Sequence, residues 1–475
     1  MKNLPAFVGM FFVLGAIQLL AQKTKQEVMQ SIDAKYQQYT NIAGSIWGFA
    51  EVGFQETKSS ALLQETLAKS GFKVEKGLAG MPTAFIASYG SGKPVIAILG
   101  EYDALPGIAQ EAVPMKKPIV GQEAGHACGH HLFGTASAAA AIAVKDWLAG
   151  NKKQGTIRFY GTPAEEGGSG KVYMVREGLF NDVDAVVNWH PGASNSASPG
   201  TTLANKTGKF RFYGVASHAA GAPHRGRSAL DGVEAMDVMV NMMREHVTPE
   251  SRIHYVITRG GEAPNVVPAF AEVYYYVRHP DRSEVKAMWE RIVNAAKGAA
   301  MGTDTQVEME ITGGVHDLLP NETLAKAMYE NMKIVGGYNY TPQEEAFAKE
   351  VQKSFTGKVP PLSVVQELAP YEVRQGVAST DVGDVSWTVP TVGMSAATWV
   401  PGTAAHSWQA VAAGGTTIGY KGMMIAAKAM ALTAIDAYTN PDLIANAWKE
   451  FKEKTGDFKY EALIGDRKPA LDYRK

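Results

Sequence analysis

A single cysteine, Cys128, stands in a chain of 475 residues, so no intramolecular disulfide can form. A surplus of either charge is also lacking. The 46 Lys+Arg against 47 Asp+Glu leave a formal net charge of -1. That balance provides no basic face for nucleic acid and no acidic tail. Internal repeats and low-complexity segments are absent. The mean hydropathy of -0.13 excludes a multi-span membrane protein. What remains is an ordinary soluble composition, 45% hydrophobic and 20% charged, which rules out a disordered chain. At roughly 100 to 200 residues per domain, the length predicts two or three domains.

The N-terminus departs from this pattern. Lys2 precedes an apolar run over 7–20, interrupted only by Gly, Ala and Gln18, and Leu19-Leu20-Ala21 ends on a small residue before Gln22. Charged start, apolar core and small residue at the cut are the grammar of a secretory signal peptide. Residues 6–21 are short for a bilayer span of about 20 residues, so cleavage is favoured over an anchor. No cysteine near Ala21 offers a lipidation site. The expectation is export to the periplasm or the exterior, with residues 1–21 outside the fold. In an exported chain a lone Cys128 is either a small buried apolar residue, a metal ligand or a nucleophile.

From 24 to 200, helix-like and strand-like stretches alternate. A helix is expected over 55–70, ending near Gly71, and another over the alanine-rich 135–148. Strands are expected over 83–89, 94–99, 156–160 and 183–189. The nearly all-apolar 94–99 suits a strand buried on both faces. The alternation predicts an α/β catalytic domain with a mostly parallel central sheet and helices on both faces. The middle differs. Strands at 208–215, 253–258, 271–277 and 306–312 alternate as half-buried strands do, with helices at 229–244 and 282–299 between them. The order β-α-β-β-α-β is that of a ferredoxin-like α+β unit, placed at 205–315 as an inserted second domain. Residues 22–204 and 316–475 then form the first domain. The glycine- and alanine-rich 412–439 reads as one helical region whose methionines fill core.

Four motifs carry chemistry. Gly125-His126-Ala127-Cys128-Gly129-His130-His131 clusters thiol and imidazole donors suited to a divalent metal, at a spacing that fits no zinc finger. Gly161-Thr162-Pro163-Ala164-Glu165-Glu166-Gly167-Gly168 follows a strand directly. On a helix such a carboxylate pair would be a solvated face. In a Gly/Pro loop at a strand end it stands where open α/β sheets place ligands. Adjacent residues point different ways, so one carboxylate can hold a metal while the other faces water. Asn188-Trp189-His190-Pro191 ends another apolar strand, and Ala404-Ala405-His406-Ser407 lies in a late loop. Each has a bland explanation alone; together they point to a metal site. Gly168-Ser169-Gly170-Lys171 resembles a phosphate loop, but Glu165 occupies its glycine position and Val172 its Ser/Thr position. Neither a G-x-S-x-G elbow nor an H-E-x-x-H helix occurs.

These stretches, with Gly100-Glu101-Tyr102-Asp103-Ala104-Leu105-Pro106-Gly107, Ser217-His218, Pro264-Asn265-Val266-Val267-Pro268 and Ser379-Thr380-Asp381-Val382-Gly383-Asp384, resemble the metal-dependent aminoacylase and carboxypeptidase family, and within it the aminobenzoyl-glutamate utilisation type B group. They span almost the whole chain after the signal segment, in family order. The resemblance implies an amidohydrolase of N-acyl amino acids with two divalent ions, zinc first and manganese or cobalt next. It matches Cys128, His130, Glu166, His190 and His406 to the metal ligands and Glu165 to the general base. Asp103 matches a carboxylate that orients a ligand. His218 matches a lid histidine reaching a neighbouring subunit's site, so a homodimer is implied. Asn265 and Arg278 match contacts to the substrate carboxylate. His131 stands where relatives often carry Asp or Asn, so it could compete as a ligand. The secretion signal sets the chain apart from cytoplasmic members, and the need for a sister chain stays open. Amide hydrolysis in such a site needs a water whose pKa the metal lowers to about 7, with Glu165 passing its proton to the leaving nitrogen. The rival readings are a dipeptidase or aminopeptidase of the same family and a non-catalytic envelope binding module. The Glu165-Glu166 pair argues against the binder, which has no use for a general base.

Overall fold

The computed structural model describes residues 23–474; the expected signal segment lies outside the described residues. The helix expected over 55–70 runs Thr57–Lys69 and stops before Gly71, whose φ of +91° favours glycine. Strands β1 (Lys73–Lys76), β2 (Phe85–Ser91) and β3 (Val95–Gly100) follow. Along β3 every residue is buried. Ile96 and Ile98 join the hydrophobic core on one side, and Val95, Ala97 and Leu99 join the core on the other. This is the period-2 pattern of a strand covered on both faces.

Helix α1 (His130–Gly150), strand β4 (Gly155–Gly161), helix α2 (Gly170–Arg176) and strand β5 (Ala185–Val187) continue the alternation. The sheet is completed late in the chain by β10 (Thr391–Val392), giving the order β1-β2-β4-β3-β5-β10. Strands β4, β3, β5 and β10 run parallel, and β2 opposes them. Helix α1 covers one face through Leu132, Phe133 and Ala136, and α2 covers the other through Val172, Tyr173 and Met174. The strand expected over 183–189 is shorter. Its regular pairing stops at Val187 and resumes as His190–Gly192 with Ser395–Ala397.

Residues 204–315 build a second sheet from β6 (Ala204–Tyr213), β7 (Arg252–Arg259), β8 (Phe270–His279) and β9 (Gln306–Val315). Its order is β7-β8-β6-β9, antiparallel throughout. Helices α3 (Ala229–Met243) and α4 (Arg282–Gly302) pack on one face over Val273, Tyr275 and Val277. Alternation along β8 therefore turns Tyr274, Tyr276 and Arg278 to the opposite face.

The single helical region expected over 412–439 is two helices, α5 (Trp408–Gly414) and α6 (Thr417–Thr439). Gly415 and Thr416 break it. A Cβ at Gly415 would meet Trp47 at 2.8 Å, and Thr416 caps α6 by accepting the Ile418 N–H. Met423, Met424 and Met430 are buried core residues. Among the described residues no helix is long and apolar enough to cross a membrane.

Candidate active site

Three of the motifs follow the ends of neighbouring strands, one begins the helix that packs on them, and a late loop brings in His406. The residues after β3 carry Glu101, Tyr102 and Asp103. The loop 125–131, entering α1, carries Cys128 and His130. Between them Gly129 has φ +76°, and a Cβ there would sit 2.7 Å from Pro191; only glycine lets the two donors turn toward one point. After β4, Ala164 adopts φ +55° and its N–H is held by buried Glu56 Oε1 at 2.8 Å, which aims Glu165 and Glu166. After β5 comes His190. His406 is brought in by its N–H, which donates to Ala127 O at 3.0 Å.

The donor atoms of Cys128, His130 and His190 lie within 4.8 Å of one another, and so do those of Cys128, Glu166 and His406. Cys128 belongs to both groups, with Sγ 3.3 Å from His190 Nε2. Hydrogen bonds fix the imidazoles. His130 Nδ1 donates to Asp103 Oδ1 at 2.9 Å, and His190 Nδ1 donates to Pro191 O at 2.8 Å. Because a carbonyl only accepts, the proton of His190 sits on Nδ1 and Nε2 presents a lone pair. Metal-binding histidines are oriented in this way. Asp103 Oδ2 also accepts the Glu166 N–H at 2.9 Å, so one carboxylate ties two ligand loops. His130 Nε2, Glu101 Oε2 and Glu166 Oε1 are buried without a hydrogen-bond partner. His130 Nε2 lies 3.0 Å from Glu101 Oε2 and Glu166 Oε1 lies 3.2 Å from His406 Nε2, contacts that need a proton or a cation between their atoms. The residues present therefore fit a pair of divalent ions.

The electrostatics agree. Burial pushes the Cys128 thiol up, with His130 pulling the other way; a bound cation would hold it as thiolate. Burial raises the Glu165 carboxyl well above the usual range, and Glu101 and Glu166 add to it. Burial also raises Glu166, but the bond from His406 and the nearby His130 outweigh it, and its pKa is lowered. Burial lowers His190, which keeps its ring neutral. Two adjacent carboxyls are thus separated in proton affinity, one suited to hold a cation and one to take up a proton.

A cavity of about 670 Å³ opens over these groups, a size that takes a small-molecule ligand. Its far wall carries Tyr274, Tyr276 and Arg278, with the Arg278 guanidinium stacked 4.3 Å above the Tyr276 ring. His218 and Asn265 do not line it. They lie together on an exposed stretch of the second sheet unit, where Ala219 N–H donates to Asn265 O at 3.0 Å. His218 Nδ1 accepts the N–H groups of Ala220 and Gly221, each at 3.1 Å, so in the neutral ring Nε2 carries the proton and faces outward. His131 is no competing ligand. One residue further along α1 it turns away, and its Nε2 bonds Gly414 O at 3.0 Å.

Three charged residues of the site went unassigned in the sequence. Lys171 Nζ lies 2.6 Å from Glu101 Oε1 and 2.7 Å from Asp381 Oδ1, and all three side chains are buried. Their only signal was their place inside the motifs; nothing in the spacing pairs residues 101, 171 and 381. Lys171, the residue that made 168–171 resemble a phosphate loop, is enclosed in the core.

The family model for peptidase family M20/M25/M40 matches residues 97–409. The chain is 43% identical to one subunit of the p-aminobenzoyl-glutamate hydrolase of Escherichia coli, over 93% of this chain and 98% of the relative. It is 29% identical to the Xaa-Arg dipeptidase of Mus musculus, over 90% and 92% of the two chains. Its fold is shared with a solved dinuclear metal-binding M20 peptidase of Bacillus subtilis, at TM-score 0.57 and 18% identity, over 86% of this chain and 99% of that one.

Proposed function

Because the chain belongs to peptidase family M20/M25/M40, we propose that it hydrolyses the amide bond of N-acyl amino acids, aroyl or peptidyl, at a site holding two divalent ions. The observation that carries this reading is Cys128, shared by two donor groups that converge on one cavity. Cys128, His130 and His190 hold one ion and Cys128, Glu166 and His406 the other. Sulfur and nitrogen donors favour zinc, with manganese and cobalt as alternatives. When bound, the ions supply Lewis acidity for the attacking water and the carbonyl.

The chain's own residues do the rest. Asp103 holds His130 in its ligand tautomer. Glu165, whose carboxylate lines the cavity, takes a proton from the attacking water as oxygen adds to the carbonyl carbon. It then gives that proton to the nitrogen as the C–N bond breaks. Arg278 on the opposite wall pairs with the carboxylate of the amino-acid half.

Residues 205–315 act in this reading as a lid inserted in the catalytic domain, formed by 22–204 and 316–475. Edge strand β7 exposes Val256 and Ile257, and α3 exposes Val238, Met239 and Met242. An unpaired edge beside an apolar helix face suits a second copy of the chain. That copy supplies His218 as oxyanion donor and Asn265 as a further contact to substrate. The 43% identical relative is named as one subunit of its hydrolase, which makes a sister chain an alternative partner. The reading also takes this chemistry to be exported, which the signal-like composition of residues 1–21 supports.

The 29% identical dipeptidase supports a second reading, in which the substrate is a dipeptide with a free amine. Assaying N-acyl amino acids, p-aminobenzoyl-glutamate among them, against free-amine dipeptides on metal-loaded protein decides between the two. Hydrolysis of neither class rejects both.

A further inference from the structure

We propose that Glu101 is a sixth protein ligand of the metal pair, on the ion that His130 holds, and that Lys171 and Asp381 fix it in place. The proposal rests on the dinuclear reading above. His130 Nδ1 donates its hydrogen to Asp103 Oδ1, which leaves Nε2 turned toward Glu101. Glu101 Oε2 stands 3.0 Å from that nitrogen, and neither atom has a hydrogen-bond partner although both are buried. A positive charge must stand between two such acceptors, a proton on the imidazole in the metal-free protein or a bound cation in its place. Two ligands about 2.1 Å from one ion lie about 3.0 to 3.4 Å apart for angles between a right angle and the tetrahedral one. The observed 3.0 Å falls at the short end of that range. Glu101, His130 and Glu165 also form a third donor group within 4.8 Å, overlapping the Cys128–His130–His190 group at His130.

The surroundings hold Glu101 in this pose. Lys171 Nζ takes its other oxygen, Oε1, at 2.6 Å. Asp381 pins Lys171 twice, accepting from Nζ at 2.7 Å and from the backbone N–H at 2.9 Å. One ammonium and two carboxylates leave one negative charge to balance, by the imidazolium of His130 or by a bound ion in its place. The Glu101 oxygen that Lys171 does not take is the one turned to His130. Lys171 is therefore a positioning residue, and Glu101 adds a negative ligand on the side of the ion nearest Glu165.

The test is Glu101→Gln. Its amide oxygen still accepts from Lys171, while its NH₂ cannot ligate. Metal content is measured on wild type and variant after equilibrium dialysis against a competing chelator, and the visible absorption of the Co(II)-loaded proteins reports the ligand set. The expected result is two ions on wild type and a tenfold to hundredfold loss of affinity for one of them in the variant, the other unchanged, with an altered Co(II) spectrum. Two ions of unchanged affinity and an unchanged spectrum in the variant overturn the proposal and leave the dinuclear reading intact. No ion on wild type sinks the dinuclear reading and this proposal with it. Should Glu101→Gln fail to fold, Glu101→Asp decides. Its carboxylate is drawn back by one methylene, so the Co(II) spectrum shifts for a ligand and stays for a bystander.

Discussion

Asp103 accepts the Nδ1–H of His130 at 2.9 Å, a bond that fixes the ring with Nε2 turned toward the donor cluster. The same carboxylate accepts the backbone N–H of Glu166. Asp103→Asn removes the charge that orients His130. Metal affinity is expected to fall by about 10- to 100-fold, the usual cost of losing such a partner. Isothermal titration of the metal-free variant with zinc checks this; unchanged affinity would show that Asp103 is not an orienting group.

Adjacent carboxyls should behave differently. Glu165→Gln is expected to keep both ions and lose about 10² to 10⁴ in kcat, the span usual for a general base. Glu166→Gln is expected to lower metal content instead, because its carboxylate meets His406 Nε2 at 3.2 Å beside Cys128. Elemental analysis beside initial rates separates the two; metal lost from Glu165→Gln and kept by Glu166→Gln reverses the assignment.

Cys128 sits in both donor groups, so Cys128→Ala should weaken both ions, whereas His190→Ala or His406→Ala should weaken one. Metal-to-protein ratios across the three variants test this. Burial also raises the thiol's pKa. Chelation at neutral pH should therefore release a protonated thiol that alkylates slowly, not a reactive thiolate. Trapping an acyl-thioester on Cys128 during turnover would contradict the metal mechanism.

The outward His218 gives a complementation test. If the chain dimerises as proposed, His218→Ala and Glu165→Ala dimers should each be inactive. In a mixed dimer one of the two sites has its own Glu165 and the partner's intact His218. Random mixing makes about half the dimers mixed, so activity should return to about a quarter of wild type. Verified subunit exchange with no recovery places His218 within its own chain or outside the reaction.

Asp384 supplies a pH test away from the metal ligands. It is buried, accepts the Tyr460 hydroxyl at 2.7 Å and the His316 N–H at 2.9 Å, and burial pushes its pKa up to about 7. A carboxyl raised in the folded state stabilises the fold fully below its unfolded pKa near 4. That contribution is lost as pH rises through 7, with an upper bound of roughly 4 kcal/mol. The wild-type Tm advantage over Asp384→Asn should therefore shrink from pH 4 to pH 7. Parallel melting curves across that range would show that Asp384 titrates as an ordinary carboxyl.

What the sequence revealed depended on how far the signal reached. The apolar 94–99 announced a strand covered on both faces, and Val95–Gly100 is one. The strand-end positions of Glu166 and His190 were legible because parallel strands deliver their following loops to one edge of the sheet. Local periodicity did not show the break at Gly415 and Thr416, because Trp47, far away in the chain, crowds that turn. It could not show that Lys171 is buried between Glu101 and Asp381, since charge pairing across 210 positions leaves no trace in spacing. His131 looked like a ligand because it neighbours one. On a helix, consecutive side chains diverge, and His131 faces α5 instead.

Two ions held around Cys128 are expected to drive hydrolysis of an N-acyl amino acid. A metal titration of the metal-free protein, following bound metal and release of the free amino acid in the same samples, tests this most directly. Expected are no hydrolysis without metal, a rise as ions bind, and a plateau at two per chain. Full hydrolysis by protein stripped of metal would contradict it.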